Sequence, residues 1–316
     1  MGVPAATAPL LLHIGLHKTG STWLQSGLFN DPVRGFMVPD GVERHKLVHD
    51  LVVPDPLAYD AERVRDFYAP HLERAGAAGL TLVLSHERLS GYPSSGGFDR
   101  EIIAQRLAAT FPEGRVLLVI REQRALIRSM YSQHITDGGA ESVARYLHRP
   151  EPQLNRKPSF ALEMYEYDRL ITRYHALFGR DRVLVLPFEL LARQPQKFVD
   201  QIAGFCGHRP ASLPSTALQN SKRSLLMQNV QRPLNMLFYH NELSPGALVH
   251  VTRFHKRYAS FRPLFDMLSP RFLERRLERS LRSAIERQVG THYAASNART
   301  EALTGIRLGE LGYPVL

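Results

Sequence analysis

Leu10-Leu11-Leu12-His13-Ile14-Gly15-Leu16-His17-Lys18-Thr19-Gly20-Ser21-Thr22-Trp23 is the stretch from which the fold is read. Residues 10–14 are apolar almost without alternation, as in a strand buried on both faces of a parallel sheet. Gly15 and Gly20 frame a short loop, and a helix is expected to begin near Ser21. Backbone N–H groups of such a loop, with the positive end of the following helix, suit a phosphate group. Lys18 adds a cation within the loop, and Thr19, Ser21 and Thr22 add hydroxyl donors.

Three more apolar runs follow: Leu80 to Leu84, Val116 to Ile120 and Val183 to Leu186. Helical patterns lie between them at Asp60 to Ala78, Asp99 to Phe111 and Phe160 to Phe178, the last with Ser159 as N-cap and Gly179 just past its end. Alternating strands and helices predict a doubly wound α/β core, a parallel sheet with helices on both faces. Tyr92 to Gly97 and Asp137 to Pro158 read as loops. Residues 1–225 are expected to form the core, and 226–316 a mainly helical C-terminal extension of the same domain. In that extension a helix runs from Ser269-Pro270 to Gly290, with Leu273, Leu277, Leu281, Ile285 and Val289 on one stripe. Its other faces are arginine-rich, with Glu274, Glu278 and Glu286 at pairing distances.

The chain has 316 residues, 44% hydrophobic and 22% charged, with net charge +10. That charge favours anionic ligands without choosing among them. Its one cysteine, Cys206, lies in an apolar run, which fits a core position and a reducing compartment. With no export signal or membrane span in view, a soluble cytoplasmic protein is expected. His45-x-x-x-His49 has metal-ligand spacing but no third ligand, so both read as surface histidines. Gly-x-Ser-x-Gly, the serine-hydrolase elbow, is absent.

In open parallel sheets ligands gather beyond the carboxyl ends of strands. The four exits here are Gly15 to Thr22, Ser85-His86-Glu87, Arg121 and Phe188-Glu189. The Gly-x4-Gly frame is that of a nucleotide phosphate loop, but Ser21 stands where such loops carry their lysine. No candidate strand ends in the aspartate that would help hold Mg²⁺, although Glu87 imitates one. Arg121 and Ser129, eight positions apart, offer a guanidinium fork and a hydroxyl for a second phosphate.

His17-Lys18-Thr19-Gly20-Ser21-Thr22-Trp23 resembles the 5′-phosphosulfate loop of sulfotransferases that use 3′-phosphoadenosine 5′-phosphosulfate (PAPS). Val119-Ile120-Arg121 through Arg128-Ser129-Met130-Tyr131 is similar to that family's 3′-phosphate segment. Leu186-Pro187-Phe188-Glu189-Leu190 resembles the strand and acidic turn of bacterial members. Asn220-Ser221-Lys222-Arg223 is more loosely similar to a further cofactor-side loop. The resemblance spans roughly residues 10 to 225. It implies the P-loop-like sulfotransferase fold, with PAPS as cosubstrate, adenosine 3′,5′-bisphosphate as product and no metal. It also implies that His17, Lys18, Thr19, Gly20, Ser21 and Thr22 bind the phosphosulfate, Lys18 supporting the leaving oxygen. Arg121 and Ser129 would take the 3′-phosphate, with Lys222 and Arg223 nearby. Trp23 would lie near the adenine, its alternative place being the core beneath the first helix.

The base that deprotonates the acceptor is expected to be Glu87, or else His86. The acceptor is a hydroxyl-bearing small molecule, glycan or lipid. Arg145, Arg149, Arg156 and Lys157 suit an acidic sugar or lipid headgroup, or are solvated loop charges. The basic C-terminal helix is a candidate for peripheral membrane contact. The rival readings are an Mg²⁺-dependent nucleotide kinase or NTPase and a non-catalytic nucleotide- or nucleic-acid-binding protein. No nucleic-acid partner is expected, because the arginines lack the interleaved aromatics of strand binders.

Overall fold

The computed structural model describes residues 9–148, 160–210, 212–214, 224–238 and 270–316. The strands are β1 (Leu10–His13), β2 (Phe36–Met37), β3 (Thr81–Ser85), β4 (Arg115–Ile120) and β5 (Val183–Pro187). They form one parallel sheet in the order β2-β3-β1-β4-β5. All four apolar runs are strands; β2, with only two residues, was too short to signal itself.

Side chains alternate across the sheet. Leu11, Val83, Leu117 and Val119 point into one core, shared with Trp23, Leu24, Leu28, Phe29, Phe198, Val199 and Ile202. These last residues come from α1 (Ser21–Trp23), the π-helical turn Leu24–Leu28 that continues it, and α9 (Pro195–Phe205). The alternate strand residues Leu12, Val116 and Leu118 are equally buried. Helix α7 (Tyr167–Phe178) packs on β4 and β5, and α3 (Ala61–Ala77) on β3. Cys206 fills the first core, where burial pushes its thiol up to about 12.

Local chemistry sets most element ends as read. Asp60 caps α3 by accepting from the Arg63 N–H at 2.9 Å. Helix α4 (Arg100–Thr110) matches its pattern, and Gly179, φ +84°, stops α7. The start of α7 differs from expectation. Residues Leu162–Tyr165 form a 3-10 turn, and the helix begins only at Tyr167. Arg100 draws the Glu163 and Met164 carbonyls out of helical register, at 3.3 and 3.2 Å. Ser159, the expected cap, lies outside the described residues. Within 137–158, read as loop, Val143–Tyr146 form a short helix, α6, capped by Ser142.

The chain divides into two compact units. The first takes described residues 9–122, 160–210, 212–214 and 293–316. Its C-terminal helix, Ala294–Thr304, is held to α7, because Ser296 and Arg299 both donate to the Asp168 carboxylate. Tyr293 adds a bond to the Leu162 carbonyl at 3.1 Å. The last stretch of the expected extension thus belongs to the core.

The second unit takes described residues 123–148, 224–238 and 270–292. It contains α5 (Gln123–Thr136), α6, α10 (Leu225–Phe238) and α11 (Arg271–Val289). Asn235 donates to the Ile135 and Gly139 carbonyls at 2.7 and 2.9 Å. In α11 Ile285 and Val289 are buried, as the stripe requires. Its glutamates do more than pair along the helix. Glu286 pairs within it, with Arg282 at 2.9 Å. Glu278 takes Arg128 of α5 at 2.8 Å, and Glu274 accepts the Leu225 and Leu226 N–H groups that open α10. Among the described residues no helix is long and apolar enough to cross a membrane.

Candidate functional site

The candidate site is built where β1, β3, β4 and β5 of the first unit end. Beyond β1 the chain turns with Lys18 at φ +65° and Gly20 at φ +88°. Left-handed backbone costs a side-chain-bearing residue about 1–2 kcal/mol, so Lys18 is held there by its surroundings. Two bonds account for it. Thr19 Oγ1 donates to the Leu16 carbonyl at 2.5 Å, closing the loop on itself. Arg121, at the β4 exit, donates to the Lys18 carbonyl at 2.8 Å while its guanidinium lies 4.8 Å from the Phe188 ring centroid. The Lys18 carbonyl is thereby bonded, and the Lys18 residue is exposed.

Gly20 carries a second constraint, since a Cβ there would meet Leu191 at 3.0 Å and Phe188 at 3.3 Å. From Ser21 the helical run begins, with Trp23 and Leu24 N–H bonding back to the Gly20 carbonyl. Ser21 is buried, and its Oγ has no hydrogen-bond partner. Thr22 is exposed. Trp23, at 7% exposure, packs in the core cluster. Of its two expected places, it takes the core.

At the β3 exit the strand ends at Ser85, and Glu87 opens a 3-10 turn. Ser85 and Glu87 nevertheless meet one partner. Gln25, in the π turn after α1, donates to Ser85 Oγ at 2.9 Å and to Glu87 at 3.4 Å. Arg44 donates to the Gln25 carbonyl at 2.5 Å and stands 3.7 Å from Glu87. His86 caps the 3-10 turn, its Nδ1 accepting the Arg88 N–H at 3.0 Å. The neutral ring therefore carries its hydrogen on Nε2, which is buried and unpartnered. Arg88 in turn binds Asp99 and lies over Tyr92.

His13, on β1, completes the group. Its Nδ1 is 2.7 Å from Ser85 Oγ, and its ring meets Phe29 edge-on. His13 Nε2 and His17 Nδ1 are buried without partners. Sequence reasoning missed His13, Gln25, Arg44 and Arg88. Only His13 carried a signal, as the one polar residue in an apolar strand; the others lie in surface-like sequence.

Burial holds His13, His17 and His86 each down to about 4, although the nearby Glu87 charge pulls the other way. Burial works to raise the Glu87 carboxyl, but a backbone N–H, Arg44 and the neighbouring histidines outweigh it and hold it below its usual range. At neutral pH the site thus contains one carboxylate and three neutral imidazoles. Unfolding returns each histidine to about 6.5, so between about pH 4 and 6.5 the unfolded chain binds more protons. Stability is therefore full above about pH 6.5 and falls as pH drops through that window. The calorimetric melting midpoint should be flat from about pH 8 to 7 and fall steeply below 6.5; a flat profile down to about pH 4.5 would overturn the assignment.

Glu189, at the β5 exit, is taken up structurally. It accepts the Glu122 N–H at 3.0 Å and the Tyr313 hydroxyl at 2.8 Å. Ser129 lies half-buried on α5, in the second unit, with Leu126 and Ile127 buried as expected. Lys222 and Arg223, and the insertion residues Arg149, Arg156 and Lys157, lie outside the described residues. Arg145 is exposed on α6, and His45 and His49 are exposed, His45 lying 5.5 Å from the His86 ring.

No protein-family model matches the chain, and no curated protein matches its sequence. Among solved structures it is similar to a sulfotransferase from Alicyclobacillus acidocaldarius, 20% identical, over 73% of this chain and 94% of that one, with TM-score 0.49. The sulfotransferase domain of the Synechococcus PCC 7002 olefin synthase is 17% identical over 83% of this chain and 96% of its own, at TM-score 0.40. The sulfotransferase domain from the curacin biosynthetic pathway is 12% identical over 98% and 99%, at TM-score 0.42.

Proposed function

We propose that this protein transfers a sulfuryl group from PAPS to an acceptor hydroxyl. The observation that carries the reading is the loop after β1, where two left-handed residues, Lys18 and Gly20, bracket Thr19, and Ser21 replaces the lysine of a nucleotide triphosphate loop with a buried, unpartnered hydroxyl. Such a loop supplies donors for a phosphosulfate, and Lys18 supplies the charge partner for the oxygen that leaves sulfur.

The residues fit the donor. Thr19 is used in closing the loop, which leaves Ser21, Thr22 and the first N–H groups of the helix to the 5′ end. Arg121, a five-donor fork, donates to the Lys18 carbonyl and is the residue that the resemblance gives to the 3′-phosphate. Ser129, eight positions on in sequence, is the second residue that the resemblance gives to that phosphate. Glu87 is the better base. His86 Nδ1 is committed to the Arg88 N–H and its Nε2 bears the hydrogen, so the neutral ring donates where a base must accept. Glu87 is ionised at neutral pH and oriented by Gln25 and Arg44.

The acceptor oxygen then attacks sulfur, its proton passes to Glu87, and the S–O bond to the phosphate breaks with the electron pair leaving on the oxygen beside Lys18. Glycans, lipids and smaller alcohols all supply such a hydroxyl, and a cytoplasmic setting fits a PAPS-dependent enzyme.

Thermal shift tests the reading. Adenosine 3′,5′-bisphosphate without metal, at about 100 times its Kd, should stabilise the protein by ~2.7 kcal/mol. Mg·ATP should do little; a shift with Mg·ATP alone would make the site a kinase's or an NTPase's.

A further inference from the structure

The loop's least explained feature is a pair of buried atoms with nothing to bond. His13 is fully buried and its Nε2 is unpartnered; Ser21 Oγ, in the loop, is buried and unpartnered too. They face one small space. A Cβ built on Gly15 would sit 2.4 Å from His13 Nε2 and 3.2 Å from Ser21 Oγ. Leaving buried polar atoms unbonded is costly, so native proteins keep few of them without a use.

The direction of the hydrogens is set from outside the loop. Arg44 can only donate, so the Gln25 carbonyl faces it and the Gln25 amide hydrogens face Ser85 and Glu87. Ser85 Oγ accepts from Gln25, and its own hydrogen has His13 Nδ1 as acceptor at 2.7 Å. Nδ1 is then the lone-pair side of the imidazole, and the ring hydrogen sits on Nε2, the atom beside Gly15. Burial, which keeps this ring neutral at physiological pH, preserves the tautomer. Four side chains from separate parts of the first unit thus converge on one N–H aimed at the phosphate loop.

We propose that His13 is a positioning residue: when an anion enters the loop, its Nε2–H donates to Ser21 Oγ, committing the Ser21 hydroxyl hydrogen to the anion. The chain Arg44, Gln25, Ser85, His13, Ser21 would then run donor to acceptor in one direction and end on the ligand. It rests on the proposed function only in requiring that the loop hold an anion.

A double-mutant cycle on ligand affinity decides it, because a contact acting through Ser21 vanishes when Ser21 is gone. For adenosine 3′,5′-bisphosphate, His13→Phe and Ser21→Ala should each weaken Kd about tenfold, the scale of one lost hydrogen bond to a charged network. The double variant should be no weaker than the worse single one, and His13→Gln, which keeps a donor at that reach, should recover at least about threefold. Losses that multiply in the double variant, or no rescue by Gln, would make His13 a packing residue and overturn the proposal. If His13→Phe does not fold, His13→Gln measured with and without Ser21→Ala completes the cycle, and equal Gln effects in both backgrounds overturn it. The same cycle is run with inorganic pyrophosphate, which needs only the loop. Wild-type binding of pyrophosphate without the bisphosphate would sink the PAPS reading while leaving His13 testable; binding of neither would sink both.

Discussion

Lys18→Ala should lower sulfate transfer ~100- to 1000-fold while the protein remains folded. The magnitude is that of removing one preorganised charge partner from a developing oxyanion. The structure adds a second expectation, because Lys18 occupies a left-handed conformation at φ +65°. Glycine adopts that conformation without steric cost, so Lys18→Gly should be equally inactive yet no less stable in urea than the wild type, and more stable by up to ~1 kcal/mol. A residue whose removal relieves strain and ends turnover is retained for chemistry. The assay follows radiolabelled sulfate from PAPS into an extract of the host's lipids and glycans, with mass spectrometry of the product. Transfer by folded Lys18→Ala within about threefold of wild type would remove Lys18 from the mechanism.

Glu87→Gln should lower turnover by ~100- to 10,000-fold, the range for loss of a positioned general base. Glutamine preserves the volume and the contact with Gln25, so the affinity for adenosine 3′,5′-bisphosphate should stay within about threefold. This split separates the base from the cofactor-binding residues, whose loss weakens both. The wild-type pH profile gives the same information independently. Glu87 titrates below its usual range and the three nearby histidines near 4, so the rate should be level through neutrality and fall only in acid. An inflection between about pH 6 and 7 that disappears in His86→Asn would transfer the role to His86.

Much of the fold was legible because buried parallel strands leave an unmistakable pattern. Leu10 to Ile14 and Val116 to Ile120 have no polar face to present, and Asp60 and Gly179 mark helix ends by their own conformational needs. The short strand Phe36–Met37 had too few residues to show a period. The start of α7 was misplaced because Arg100, more than sixty residues away, competes for its first carbonyls. That the helix Ala294–Thr304 packs with the first unit was not legible, because Asp168, which binds its Ser296 and Arg299, lies far away in sequence.

For the site, the sequence by itself determined the make-up of the loop: Gly15 and Gly20 framing it, Lys18 as a cation within it, and Ser21 where a nucleoside triphosphate loop carries its lysine. These follow from local sterics and charge, which neighbouring residues suffice to define. Only the tertiary structure decided what stands behind the loop. It put Trp23 in the core, tied Arg121 to the Lys18 carbonyl, distinguished an ionised Glu87 from a His86 whose Nδ1 is taken by the Arg88 N–H, and brought His13, Ser85, Gln25 and Arg44 into one network. Hydrogen-bond direction depends on groups that meet only when strands β1 and β3 lie side by side and the first helix folds over them.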